Sequence, residues 1–77
     1  MRARIHVTLK KSVLDPQGQA VGAALRTLGF AEAKTARLGK TIDLELDDGT
    51  PRERIDEMCR KLLANLVIED YAIELDG

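Results

Sequence analysis

The chain has no tryptophan and only one each of tyrosine, phenylalanine, histidine and cysteine among its 77 residues. Each shortage closes a route. A lone Cys59 rules out an internal disulfide. Cys59 and His6 stand far apart without a second cysteine or histidine, so a structural zinc site lacks ligands. No apolar run approaches the roughly 20 residues of a membrane span. The N-terminal Met1-Arg2-Ala3-Arg4-Ile5-His6 alternates instead of forming the apolar block of a signal peptide. An excess of charge of one sign is also missing. Twelve basic residues stand against 13 acidic ones, a formal net charge of −1, which gives no general pull toward nucleic acid or an anionic membrane. The expectation is a cytoplasmic chain with a reduced thiol, partnered by neither nucleic acid nor membrane.

Residues 1–77 are expected to form a single domain. A chain this short buries only about 60% of its extended surface, and such cores rarely supply more than roughly 3–5 kcal/mol without a staple. With disulfide and metal excluded, self-association is the staple left.

Ala3, Ile5, Val7 and Leu9 alternate with Arg2, Arg4, His6, Thr8 and Lys10, the period of a half-buried strand. Asp15-Pro16 then opens a helix, with Asp15 as N-cap and Pro16 where a missing N–H costs nothing. Ala20, Val21, Ala24, Leu25 and Leu28 fall on one helical face. Gly29 supplies a left-handed cap, and Phe30 is placed to fold back on Leu25. Residues 33–38 and 41–47 read as two strands joined by a turn at Gly39-Lys40. The first is weak, because Ala33, Ala36 and Leu38 break parity. Asp48-Gly49 turns the chain.

Thr50-Pro51-Arg52-Glu53 has the form of a capping box opening a second helix. Ile55, Met58, Cys59, Leu62 and Leu63 make its apolar face, while Asp56/Arg60 and Glu57/Lys61 pair at i,i+4 on the outside. Asn65 is expected to end it in a left-handed conformation. Tyr71, Ile73 and Leu75 alternate with Ala72, Glu74 and Asp76 as a last strand.

The order β-α-β-β-α-β predicts an α+β fold: a four-stranded antiparallel sheet with both helices on one face, the ferredoxin-like arrangement, with segment exchange in the oligomer an option. The first strand would lie between the third and fourth. Arg2, Arg4, His6 and Lys10 would then face Asp43, Glu45, Glu74 and Asp76 across the helix-free side, in cross-strand pairs that each stabilise by about 0.2–1 kcal/mol.

No reactive constellation emerges. His6 is the one side chain of a type suited to general acid–base work near neutral pH, but nothing beside it reads as a nucleophile or positioned carboxylate, so it reads as an outward strand residue or subunit contact. Cys59 lies on the apolar helical face and reads as a buried structural thiol. Gly18 and Gly22, one turn apart, either admit a close backbone approach or are simply tolerated. Glu69 and Asp70, adjacent in a strand, point to opposite faces and cannot form a catalytic pair. Nucleic-acid binding through stacking needs strand aromatics that the first and third strands lack. Metal carriage needs paired cysteines. A binding or assembly module remains. The alternative is a ferredoxin-like module that senses a small ligand, on fold analogy alone.

Several segments, taken in order, carry a family resemblance: Val7-Thr8-Leu9-Lys10, Val13-Leu14-Asp15-Pro16-Gln17-Gly18, Leu28-Gly29-Phe30, Arg37-Leu38-Gly39-Lys40, and Met58-Cys59 through Tyr71. Together they resemble the PurS family, the small accessory subunits of phosphoribosylformylglycinamidine synthase, over nearly the whole chain. The alanine-rich second strand and the short acidic 47–50 turn depart from that pattern. The resemblance implies a non-catalytic, cofactor-free and metal-free subunit, a dimer or tetramer. It would bridge a synthetase and a glutaminase subunit that use ATP, magnesium and glutamine. Leu14, Gln17, Glu69 and Asp70, which helix punctuation does not explain, are the expected partner-interface residues.

Overall fold

The computed structural model describes residues 1–76. Strand β1 spans Arg2–Leu9, helix α1 Pro16–Thr27, strand β2 Gly39–Glu45, helix α2 Arg52–Met58 and strand β3 Glu69–Asp76. The three strands form one antiparallel sheet in the order β2-β1-β3. The long alternating strand is therefore central, flanked by the strands expected beside it.

Alternation sets the two faces. Ala3, Ile5 and Val7 point inward and meet Ile55 and Cys59 of the second helical segment and Ala64 beyond it. Ile42, Leu44, Tyr71 and Ile73 pack around this small core half-buried. The opposite face is charged as expected. Arg4 Nε lies 2.8 Å from Asp43 Oδ1 and Arg4 also reaches Glu74 at 4.0 Å. Arg2 pairs with Glu45 at 3.5 Å. The i,i+4 pairs of the second helix, Asp56/Arg60 and Glu57/Lys61, form at 2.8 and 3.0 Å.

Helix α1 begins as read: Asp15 accepts the Gly18 amide at 2.9 Å. It ends in a Schellman motif, with Gly29 at φ 103°, the Phe30 amide donating to Leu25 and the Gly29 amide to Arg26.

Six expectations need correction. Residues 33–38 are not a strand, so the sheet has three strands and not four among the described residues. The carbonyls of Ala33 and Lys34 accept from Arg26 instead of from a neighbouring strand. Consequently Gly39-Lys40 is no hairpin turn; these residues start β2 and pair with Thr8 and Val7.

Both helices were expected on one sheet face, yet α1 adds no residue to the core or its half-buried rim. It stands away with Val21 and Leu28 exposed. The molecule is accordingly 48 Å long with a radius of gyration of 15.7 Å, against about 11–12 Å for a compact chain of this length.

The capping box does not close. The Thr50 hydroxyl donates back to the Asp47 carbonyl at 2.6 Å, and α2 starts without a side-chain cap. Next, α2 runs on into a π-helical turn, Cys59–Leu63, closed by the Ala64 amide donating to Cys59. The extra residue in that turn swings Leu62 off the apolar face, leaving it 83% exposed, and brings Leu63 round toward the core.

Finally, Asn65 has no left-handed backbone, since no residue other than glycine does among those described. It organises the loop through hydrogen bonds instead: its Oδ1 accepts the Val67 amide at 3.1 Å, and its carbonyl accepts those of Ile68 and Glu69.

Candidate functional site

Residues 10–38 leave the sheet at the end of β1 and return to it at the start of β2, where Thr8 and Gly39 are opposed. Helix α1 and the irregular stretch after it thus form an arm, and the arm is tied at its base. Asp15 is only 5% exposed. Its two carboxylate oxygens accept the Gly18 amide at 2.9 Å and the Leu38 amide at 2.7 Å. Those two bonds, helped by the nearby Arg37 charge, hold the Asp15 carboxyl below its ordinary pKa. Arg37 donates across the same junction to the carbonyls of Lys10 and Val13, at 2.9 and 3.0 Å. Farther out, Arg26 straps Ala33 and Lys34. Between these ties Gly18 and Gly22 let the chain lie against the helix. A Cβ on Gly18 would collide with the Ala36 carbonyl, whereas one on Gly22 would only touch Ala36. Of the two readings of these glycines, close approach is realised at Gly18, whereas Gly22 is simply tolerated.

The four expected interface residues sit around this junction, on different sides of it. Gln17 and Glu69 line one hollow of about 260 Å³ with Leu38 and Lys40. Leu14 is 65% exposed and lines a separate groove between α1 and residues 34–37. Asp70 lies on the charged sheet face, paired with Lys10 at 2.8 Å. Glu69 is occupied by its own loop, accepting the Asn65 amide at 2.7 Å. Only Gln17 and Glu69 are brought together.

Sequence reading missed a second feature. An apolar groove of about 410 Å³ lies between β2 and the second helical segment, lined by Leu44, Met58, Leu62 and Leu63 and edged by Arg54, Glu57 and Lys61. The π-helical turn that exposes Leu62 leaves no mark in a helical period, so the sequence carried no signal for this groove.

Groups with chemical potential are committed elsewhere. Cys59 is fully buried, and burial pushes its thiol pKa up, which disfavours the reactive thiolate. His6 rests on the charged face, Nε2 3.4 Å from Glu74 and Nδ1 3.5 Å from the Thr41 hydroxyl. Tyr71 donates a short hydrogen bond to Asp56. That bond depresses the Asp56 pKa and raises that of Tyr71. Among the described residues no three His, Cys, Asp or Glu side chains gather as a metal site, and no helix is long and apolar enough to cross a membrane.

The comparisons with known proteins agree with one another. Residues 2–77 match the family model described as PurS, phosphoribosylformylglycinamidine (FGAM) synthase. The PurS subunit of Synechocystis is 48% identical over 75 residues, covering 94% of this chain and 75% of the relative. That of Bacillus subtilis is 44% identical over 77 residues, covering 97% and 92%. Among solved structures, B. subtilis PurS superposes with a TM-score of 0.86 at 45% identity, covering 99% of this chain and 98% of the other. A chain in the structure of PurLQS from Thermotoga maritima gives a TM-score of 0.83 at 30% identity, covering 95% and 93%. The chain belongs to the PurS family of phosphoribosylformylglycinamidine synthase subunits.

Proposed function

We propose that this chain, as one domain over residues 1–77, is the non-catalytic assembly subunit of phosphoribosylformylglycinamidine synthase, working in the cytoplasm in de novo purine biosynthesis. The complex converts formylglycinamide ribonucleotide, ATP and glutamine to formylglycinamidine ribonucleotide. A synthetase subunit holds substrate, ATP and magnesium, and a glutaminase subunit supplies ammonia. This chain bridges the two and supports ammonia transfer, with no cofactor or metal of its own. One observation carries the reading: the fold, over 95% of the chain, is that of a chain in the T. maritima PurLQS structure.

Bridging goes with self-association as a dimer or tetramer. In that oligomer the four-stranded sheet with both helices on one face is completed by exchange of a segment between copies. The six-residue buried core, too small to stand comfortably alone, supports this. The outward side of the arm's base, with Gln17 and Glu69 at one hollow and Leu14 and Asp70 flanking it, is the surface offered to the larger subunits.

The test is reconstitution. Added to its synthetase and glutaminase partners, the chain should raise glutamine-dependent turnover while leaving turnover on free ammonia nearly unchanged. Glutamine-dependent turnover indifferent to the chain would remove the proposal.

A further inference from the structure

We propose that the groove between α1 and residues 34–37 is an anion site that takes the phosphate group of a small ligand. The site stands on its own residues and does not depend on the assembly role proposed above.

The first observation is where positive charge goes unanswered. Arg2, Arg4, Lys10, Arg54, Arg60 and Lys61 each have a carboxylate no farther than 3.5 Å away. Arg26, Lys34 and Arg37 have no such ion pair among the described residues, and all three line this one groove. The only acid lining it is Asp15, buried, with its two oxygens engaged by the Gly18 and Leu38 amides. The Asp15 charge offsets that of Arg37, which helps hold the carboxyl in its ionised form. Arg26 and Lys34 remain as an uncompensated pair of cations. A phosphate monoester carries about −1.5 to −2 near neutral pH, so its charge matches theirs.

The second observation is how the donors are held. Arg26 uses Nη1 on the carbonyls of Ala33 and Lys34, and Arg37 uses Nη2 on those of Lys10 and Val13. These ties fix both guanidinium groups and leave their other nitrogens without a protein acceptor. A guanidinium held in this way is preorganised for forked contact with phosphate oxygens. The Lys34 ammonium, Thr35 hydroxyl and Gln19 carboxamide line the same groove and donate to no protein atom. Where Gly18 and Gly22 form its wall, no side chain intrudes; a Cβ on Gly22 would lie 3.3 Å from Arg26 Nη1. The groove holds about 330 Å³, at the small end of the roughly 300–1,000 Å³ of small-molecule sites. Phosphate or a sugar phosphate fits that space. A nucleic-acid strand would need aromatic stacking platforms, and no aromatic residue lines the groove. A phosphate bound here touches α1 through Arg26 and the returning stretch through Lys34, so it fastens the two limbs of the arm together.

The test uses the full chain, labelled with nitrogen-15 and titrated at constant ionic strength with inorganic phosphate or with ribose 5-phosphate. The amide resonances of Gly18, Gly22, Thr35 and Ala36 should shift and saturate, with a dissociation constant of about 1 mM or tighter. Ribose alone should move none of them. Tighter binding of ribose 5-phosphate would assign the site to phosphomonoesters, and binding of inorganic phosphate as tightly or more so would assign it to the free ion. Lys34→Glu alters an exposed side chain that makes no structural bond, so helical content should hold while affinity falls at least about tenfold. Lys61→Glu, the same change of charge on the second helical segment, should bind like the wild type. The absence of saturating shifts at these amides would overturn the site. So would a Lys34→Glu chain that binds as tightly as the wild type, or equal losses in the two variants. Acetate that binds as well as phosphate would overturn the assignment to a phosphate group.

Discussion

The Leu38 amide donates a 2.7 Å hydrogen bond to the carboxylate of Asp15, 23 positions earlier in the chain. One side chain thereby does two jobs. Its other oxygen caps α1 at Gly18, so the helix start and the return of the chain into β2 are fixed by the same carboxylate. The Asp-Pro pair is a helix signal in the sequence, and in the fold it is also the hinge pin of the arm.

Asp15→Ala removes both bonds and leaves the Leu38 amide without its acceptor. The melting temperature should fall by at least about 4–8 °C, the shift expected from one lost cap in a domain of this size. Asp15→Asn should be intermediate, since its single carbonyl oxygen replaces one of the two acceptors. Thermal unfolding of the three proteins under one buffer reads the order directly.

Gly18 and Gly22 should respond to alanine with opposite signs. A Cβ on Gly18 meets the Ala36 carbonyl and the Asp15 carboxylate, neither of which can yield without breaking the clamp. The cost should be of the order of 1–3 kcal/mol, as for other overpacked sites. On Gly22 the nearest atom is the end of the flexible Arg26 side chain, at 3.3 Å. Gly22→Ala should therefore gain part of the ~1 kcal/mol that alanine holds over glycine in a helix. Urea midpoints at constant m-value distinguish the two.

How much of this was legible follows from range. The alternation of Ala3, Ile5 and Val7 against Arg2, Arg4 and His6 is a local pattern, and it gave the central strand, its buried face and its charged face. The Asp15 cap and the Gly29 terminus are equally local. Residues 33–38 were misread because their course is set by contacts with Arg26, Gly18 and the Asp15 carboxylate, between 7 and 23 positions away, and not by a local pattern. Leu62 was misplaced because a turn that widens by one residue leaves no mark in a 3.6-residue period. For the four residues expected at an interface, the pattern indicated exposure at Leu14 but not direction. It could not show that Gln17 and Glu69 share a hollow while Asp70 faces the other way.

Ile55→Ala tests how little core there is. Ile55 is fully buried against Ala3, Ile5, Val7 and Cys59. Truncations of this kind cost about 2–5 kcal/mol, as much as a core of this size supplies. The variant should be largely unfolded at micromolar concentration, and added protein should refold it in proportion to dimer formation. Circular dichroism over a concentration series gives both numbers.

Stability should be widest between about pH 5 and pH 8, with a different cause at each limit. On the acid side Asp15, Asp43, Asp56 and Glu57 all have depressed folded pKa values. Their causes are, in order, the Leu38 amide, Arg4, the Tyr71 hydroxyl and Lys61. Depressed carboxylates favour the folded state above their unfolded values, roughly 3.9–4.3, and that contribution is lost as pH falls through the lower folded values. On the alkaline side Cys59, raised by burial, and Tyr71, raised by its bond to Asp56, act in the opposite sense. The folded state holds their protons longer than the unfolded chain does. Their contribution is complete below about 8.5 and 10 respectively and disappears as pH rises through the folded values. Cys59→Ala should flatten the part of the alkaline limb that begins near 8.5 and leave the acid limb where it was. Denaturant midpoints from pH 3 to pH 11, wild type against variant, would show whether the first alkaline loss belongs to the buried thiol.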